Sequence, residues 1–428
     1  MKLPIGIQDF EKVRTGGFLY VDKTELIYRL VTEGSYYFLS RPRRFGKSML
    51  VSTLKTLFLG KRELFKGLAI DEKKDWDWAT HPVLHLDLNT NKYDKPEVLE
   101  QKLDKSVEDW EKTYGCARPD LPIGMRFENV IEQAYKQTGQ RVCILVDEYD
   151  KPMLQAIGNK ELQDEFRGTL KGFYGALKSM DGCIKFALLT GVTKFGKAAF
   201  EQEQSQTSLN SAEREQARPK VKVSVFSDLN NLNDISLDYE YYDICGITEE
   251  ELLSVFKENI ANLAKANGMS TEECTEILRT QYDGYHFHPK APGVYNPFSL
   301  LNAFSKKEFG SYWFETGTPT YLVELLRRHN YDLEEMAHSE VTADVLNSID
   351  ADSHDPIPVI YQSGYLTIKG YDQEFKLYRL GFPNREVEEG FVKYLAPFYL
   401  NNREKKSVFD IRSFVSDVRD GKPEQFLT

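Results

Sequence analysis

Gly46-Lys47-Ser48 and Asp147-Glu148 are the residues whose types and spacing could do chemistry together. The triplet lies in Ser40–Leu50, SRPRRFGKSML, between an apolar run, Tyr36-Tyr37-Phe38-Leu39, and an amphipathic run, Met49–Phe58. That order reads as strand, tight loop, helix. Gly-Lys-Ser at such a junction is the second half of a phosphate-binding loop. Backbone N–H groups curl round the phosphates, the Lys47 ammonium reaches the β/γ oxygens, and the Ser48 hydroxyl ligates Mg2+. The helix N-terminus behind the loop adds positive potential for an anion. Where the usual pattern G-x-x-x-x-G-K-S/T opens with Gly, this chain has Arg41. Taken alone, the stretch also reads as a Gly-containing turn before an ordinary helix.

The second motif narrows the choice. Arg141–Asp150, RVCILVDEYD, is an apolar run, Val142 to Val146, ending in Asp147-Glu148. Continuous apolar residues suit a strand covered on both faces, as in a parallel sheet. Acids at its carboxyl end stand where ligands bind in open α/β sheets. Asp147 can hold Mg2+, directly or through water, and Glu148 can polarise a water for attack on a γ-phosphate. The alternative is a strand that ends in solvated acids.

Composition sets the limits. At 428 residues the chain suits two or three domains. A net charge of -11 and a pI near 5.4 argue against a protein that coats nucleic acid, leaving room only for a local basic patch. Five scattered cysteines without a C-x-x-C pair read as reduced thiols. No signal peptide opens the chain and no apolar run is long enough to cross a bilayer, so a soluble cytoplasmic protein without membrane contact is expected.

The elements that must position the motifs follow in order. Phe18–Val21 reads as a strand or extended arm leading into a helix; arms upstream of a P-loop often cover the nucleotide, and simple packing of an N-terminal arm is an equal alternative. Val83–Leu88 alternates as a strand. Pro96–Tyr114, Met125–Gln137 and Asn159–Ser179 read as helices, and Cys183–Leu189 as the next buried strand. Strands alternating with such helices predict an α/β fold, a mostly parallel sheet with helices on both faces. The last strand ends in Thr190, where P-loop ATPases place a polar sensor of the γ-phosphate. Thr193 is the fallback, and either hydroxyl could equally cap a turn. Residues 197–220 are polar and read as a surface insertion in an ATPase core spanning 1–245.

A helical lid is expected over 246–318, with helices from Thr248 to about Ala266, over Ser270–Thr280 and over Pro297–Phe304. His286 and His288 are a tempting metal pair, but no cluster supports them and a structural role is favoured. Over 319–383, a helix at 320–328, the pair Arg327-Arg328, and strands at Tyr365–Lys369 and Phe375–Leu380 suggest a winged-helix-like region. Helices over 384–400 and 410–418 read as a linker within 384–428, towards a domain that is absent.

The strings YVDKTELI, RPRRFGKSML, VDEYDKP, LLTGVTKF, FSDLNNLNDIS, YDGYHF, VYNPFSLL, QSGYLTI and PNREV resemble, in order and number, the AAA-ATPase-like family of bacterial P-loop NTPases. The similarity runs from near Ile5 to near Val387, and loops beginning RPRRFGKS are typical of it. The resemblance implies an ATPase module related to signal-transducing NTPases with numerous domains (STAND), usually fused to a C-terminal PD-(D/E)XK nuclease-like domain that is missing here. It implies ATP and Mg2+ as ligands. Lys47 and Ser48 would take phosphate and Mg2+, with Arg43, Arg44, Phe45, Gly46 and Met49 completing the loop. Asp147 would take Mg2+ and Glu148 would be the catalytic carboxylate. Arg43 and Arg44 face either the phosphates or a neighbouring subunit.

The reading that follows is a slow Mg-dependent ATPase switch controlling a nuclease-like effector, with DNA and a second copy of the chain as candidate partners. The competing reading is a non-catalytic nucleic-acid or protein-binding adaptor that keeps ATP as a structural ligand.

Overall fold

The computed structural model describes residues 2–195, 231–315, 339–347 and 355–399. The polar segment 197–220, the helices expected at 320–328 and 410–418, and the Arg327-Arg328 pair lie outside these residues. Five parallel strands form the first sheet: β1 (Tyr36–Ser40), β2 (Val83–Asp87), β3 (Val142–Asp147), β4 (Ile184–Gly191) and β5 (Asn233–Asp234). Their order is β2-β3-β4-β1-β5, so β4 separates β1 from β3. The helices of this half are α1 (Phe10–Thr15), α2 (Thr24–Glu33), α3 (Lys47–Phe58), α4 (Pro96–Tyr114), α5 (Ile123–Thr138), α6 (Lys151–Gln155), α7 (Lys160–Tyr174) and α8 (Ala176–Ser179).

Side chains alternate across a strand, and this alternation divides the interior in two. On one face Tyr37, Leu39, Cys143, Leu145, Phe186 and Leu188 pack with Leu50, Leu54 and Leu57 of α3. On the other, Phe38, Ile144, Val146, Ala187 and Leu189 meet Leu103, Val130 and Phe166 from α4, α5 and α7. Every position of β3 is buried, as a strand covered on both faces requires, while β2 at the sheet's edge alternates. Lys185 is the extra residue of a bulge opposite the Val142–Cys143 step, which returns Ile184 to the face of Ala187.

Two expected helices are each broken in the structure. The span Asn159–Ser179 is interrupted at Gly175, a residue with poor helix propensity, giving α7 and α8. The helix from Thr248 breaks at Phe256, giving α9 (Glu249–Val255) and α10 (Lys257–Ala266). Phe256 leaves helical geometry at φ -104 and ψ 15 and stacks its ring on Phe304, with centroids 5.4 Å apart. Capping boxes at Thr248/Glu251 and Ser270/Glu273 start α9 and α11 (Thr271–Tyr282). With α12 (Pro297–Lys306) these helices enclose a third core around Leu252, Leu263, Leu278 and Leu300.

The expected two-stranded hairpin is part of a three-stranded antiparallel sheet. It comprises β6 (Glu340–Val341), β7 (Thr367–Asp372) and β8 (Leu377–Gly381) in the order β6-β8-β7. Short helices accompany it: α13 (Tyr312–Glu315), α14 (Ala343–Asn347), α15 (Ile357–Gln362) and the longer α16 (Arg385–Tyr399). Its apolar side chains Ile357, Ile360, Leu366 and Leu380 join the same core as α3. Among the described residues no helix is long and apolar enough to cross a membrane.

Glu386, near the start of α16, is buried and accepts hydrogen bonds from Ser299 Oγ (2.7 Å) on α12 and Trp313 N (2.8 Å) on α13. Burial pushes its carboxyl up to about 7, against the pull of those donors. A raised value in the folded state means the group's contribution is complete below the ordinary glutamate range and is lost as pH rises through about 7. Denaturant titrations at a series of pH values should therefore show the parent losing on the order of 3 kcal/mol relative to Glu386→Gln across that window. Parallel profiles would mean that Glu386 is ionised throughout.

Candidate functional site

The loop between β1 and α3 is built on backbone conformations that few residues adopt. Gly46 caps α3 at φ 98, and Arg44 before it stands at φ 65. The first amides of an α-helix have no acceptor within it. Here Gly46, Lys47, Ser48 and Met49 line a cavity of about 540 Å³, within the size range of small-molecule sites.

Lys47 is 3 % exposed, and its Nζ donates to the carbonyls of Arg41 (3.0 Å) and Pro42 (3.3 Å). It also pairs with Glu148 at 3.3 Å. Glu148 follows β3 in the left-handed region, φ 55, and lines the same cavity. The two motifs thus meet across β4. Asp147 is buried, and its Oδ1 accepts from Thr190 Oγ1 at 2.6 Å. Thr190 also reaches the Val146 carbonyl at 3.3 Å. Neither Asp147 nor Thr190 lines the cavity itself. Thr193 is engaged elsewhere, with its hydroxyl donating to Asp150 at 2.6 Å.

Arg41, standing where the usual loop has its first Gly, does not line the cavity. Its guanidinium is 1 % exposed and donates to the carbonyls of Ser40 (2.9 Å), Ser236 (2.8 Å) and Tyr241 (3.0 Å), 4.0 Å from the Phe287 ring centroid. Burial lowers its pKa to about 10. Arg43 accepts at its carbonyl from Trp313 Nε1 (2.9 Å), and the Arg44 guanidinium lies 3.9 Å from the Phe298 ring centroid. Burial and the neighbouring Arg43 lower the pKa of Arg44. The Phe45 ring turns inward, edge-on to Tyr285 with centroids 4.6 Å apart.

The far end of the cavity is apolar. Leu19, Val21 and Ile27 from the N-terminal arm and α2, Ile244 and Ile247, and Phe298 and Leu301 of α12 are among its lining residues. Lys23 of the arm pairs with Glu251 of α9 at 2.6 Å, and both side chains are largely buried. The arm expected upstream of the loop does line the cavity. The residues 244–247, Phe298 and Trp313 were not nominated from sequence, because only tertiary contact brings them to the loop.

Among the described residues no three His, Cys, Asp or Glu side chains form a metal-holding group. Mg2+ keeps several waters and takes one or two protein oxygens beside substrate phosphates. The Ser48 hydroxyl, in the first turn of α3, and the Asp147 carboxylate, at the end of β3, are oxygen donors of that kind. His286 Nδ1 lies 3.0 Å from the Ala291 carbonyl, and His288 Nδ1 accepts from Lys290 N at 3.1 Å, both local turn contacts.

A parallel sheet whose strands end in a Gly-Lys-Ser loop and an acidic turn defines a P-loop-like α/β protein. A family model described as predicted AAA-ATPase (AAA-ATPase-like) matches residues 4–200. The chain is also 38% identical over 404 residues to a protein of Azotobacter chroococcum mcd 1 described as "Uncharacterized protein in vnfD 5'region". That match covers 93% of this chain and 70% of the relative. The chain belongs to the predicted AAA-ATPase family, which implies nucleotide binding.

Removing the buried guanidinium orphans carbonyls that have no access to water. Arg41→Ala should cost about 3 kcal/mol or more in urea denaturation, and Arg41→Lys should recover little, because an ammonium cannot span the Ser236 and Tyr241 carbonyls. A loss under about 1 kcal/mol would mean that Arg41 does not support the loop.

Proposed function

We propose that this chain binds Mg·ATP in the cavity and hydrolyses it slowly, as a switch that controls a C-terminal nuclease-like effector. The observation that carries this reading is the 3.3 Å approach of Lys47 to Glu148 at one end of the cavity. Residues from two distant motifs thereby present a cation and a carboxylate to the same space. The amides of Gly46 to Met49 and the Lys47 ammonium hold the phosphates, and Arg43 and Arg44 add positive charge to the loop. Glu148 orients the attacking water, and Thr190, through Asp147, monitors the third phosphate. Ser48 and Asp147 would hold Mg2+, which when bound would supply neutralising charge beside the phosphate oxygens.

The switch element is the region from α12 to α16. Its contacts fall on the phosphate loop itself, at the Arg43 carbonyl through Trp313 and at Arg44 through Phe298. Gly364, at φ 90, lies so close to Pro42 that a Cβ there would stand 2.6 Å from its ring. A loop that moves on binding phosphate would move these contacts with it.

The adaptor reading drew on a winged-helix-like region, and the geometry gives it little. The helix before the hairpin, α15, is buried, with Ile357 at 2 % and Ile360 at 0 % exposure. A helix so placed cannot lie in a DNA groove. The exposed hairpin tip carries one acid, Glu374, and one base, Lys376, on either side of Phe375, which makes no basic patch for phosphates.

Calorimetry and phosphate release test the proposal. Lys47→Ala should weaken Mg·ATP binding at least about 10-fold, the value of a charged contact. Glu148→Gln should bind within about 3-fold of the parent and release phosphate at least about 100-fold more slowly. Lys47→Ala binding as tightly as the parent would show that the site is wrongly placed.

A further inference from the structure

A carboxylate immediately before a helix usually caps it. Asp150 precedes α6 and makes no such bond. Its Oδ2 instead accepts three hydrogen bonds from the loop after β4: Val192 N at 3.0 Å, Thr193 N at 2.6 Å and Thr193 Oγ1 at 2.6 Å. The carboxylate is 0 % exposed, and Oδ1 has no hydrogen-bond partner among the described residues. Burial, then the neighbouring Glu148, raises its pKa, while the Thr193 donors and Lys47 oppose the shift. A buried carboxylate with one oxygen unsatisfied is costly to keep. Nothing in α6 calls for it.

What the carboxylate does join is the turn after β3 to the turn after β4. Tyr149 makes the same connection beside it. Its amide donates to the Thr190 carbonyl (3.0 Å), and its hydroxyl donates to the Thr193 carbonyl (3.0 Å) and accepts from Phe195 N (3.1 Å). The two turns approach so closely at Gly191 that a Cβ there would lie 2.6 Å from Asp150 Oδ1 and 2.8 Å from the Tyr149 ring. Glu148, held at φ 55 in a region unfavourable to a side-chain-bearing residue, is at the centre of this clamp.

We infer that Asp150 is a positioning residue: it locks the loop at Val192–Thr193 against the turn at Glu148, and so fixes Glu148 and Thr190 at the distance that distinguishes a third phosphate from its absence. The inference rests on the nucleotide reading of the cavity. Asp150 itself touches no nucleotide. A diphosphate needs the loop amides and Lys47, whose Nζ is also held outside the clamp by the Arg41 and Pro42 carbonyls, whereas a triphosphate also needs the ends of β3 and β4.

The test is calorimetric titration of Mg·ATPγS and Mg·ADP into the full chain and into its Asp150→Asn and Thr193→Val variants, with thermal unfolding of each. Asp150→Asn keeps the size and one acceptor but removes the charge, and Thr193→Val removes one donor from the other side. Should the first variant not fold, the second reads the same clamp. The parent should prefer ATPγS by about 10-fold or more, and both variants should bring that ratio to within about 2-fold of unity with ADP affinity unchanged. A ratio as high in the variants as in the parent overturns the role. So does an equal loss of both affinities, which is what a merely structural residue would produce, or a parent without preference. A parent that binds neither nucleotide is a separate failure, that of the cavity as a nucleotide site.

Discussion

Every strand of a parallel sheet delivers its carboxyl end to the same edge, and with β4 lodged between β1 and β3 that edge brings three separate turns together. The Gly46–Ser48 loop, the Asp147-Glu148 turn and the Thr190 end of β4 are far apart in sequence. Their spacing is set by the hydrogen-bonded registers Tyr36↔Ala187 and Ile144↔Ala187. The apolar faces of β1, β3 and β4 hold that register, because a slip by one residue would exchange the two cores. The geometry of the site is therefore a consequence of burial several residues away from it.

The loop lacks its usual first glycine, and Arg41 shows how the position is otherwise employed. A glycine there permits the backbone to turn without constraint. The arginine instead turns its side chain under the loop and ties Ser40, Ser236 and Tyr241 to one guanidinium. Its positive charge is stabilised by carbonyl dipoles and the Phe287 face, and among the described residues it makes no ion pair within contact distance. With that side chain beneath the loop, Lys47 folds over the Arg41 and Pro42 carbonyls and keeps its ammonium beside Glu148.

Much of this was legible in the sequence, for physical reasons that particular residues illustrate. The run Val142 to Val146 could only be a strand buried on both faces, and Pro96 and Gly115 bracket α4 with the residues that start and stop a helix. Lys47 and Glu148 could be nominated because Gly-Lys-Ser after one apolar run and Asp-Glu after another are uncommon residue types at the ends of strands. What was hidden depends on partners remote in sequence. The break at Phe256 answers to a ring on α12, and β6 is two residues long, too short for any period to show. Asp150 was legible as part of an acidic motif, but its position before a helix suggests a cap. Only the approach of the β4 loop reveals its other bonds.

The C-terminal helices and the second sheet are tied to the carboxyl edge of the first sheet by a few buried polar bonds. Lys194 N donates to Gln362 Oε1 at 2.7 Å, and Gln362 Nε2 donates to the Leu346 carbonyl at 2.8 Å, so one buried amide joins the loop after β4 to α15 and α14. On the other side Trp313 holds the Arg43 carbonyl while its own amide is held by Glu386 of α16. These are short, buried and directional bonds, which tolerate little change in length before they break. Two packed units joined in this way do not slide continuously. They keep their arrangement or exchange it for another, and the backbone atoms that would decide between the two belong to the loops after β1 and β4.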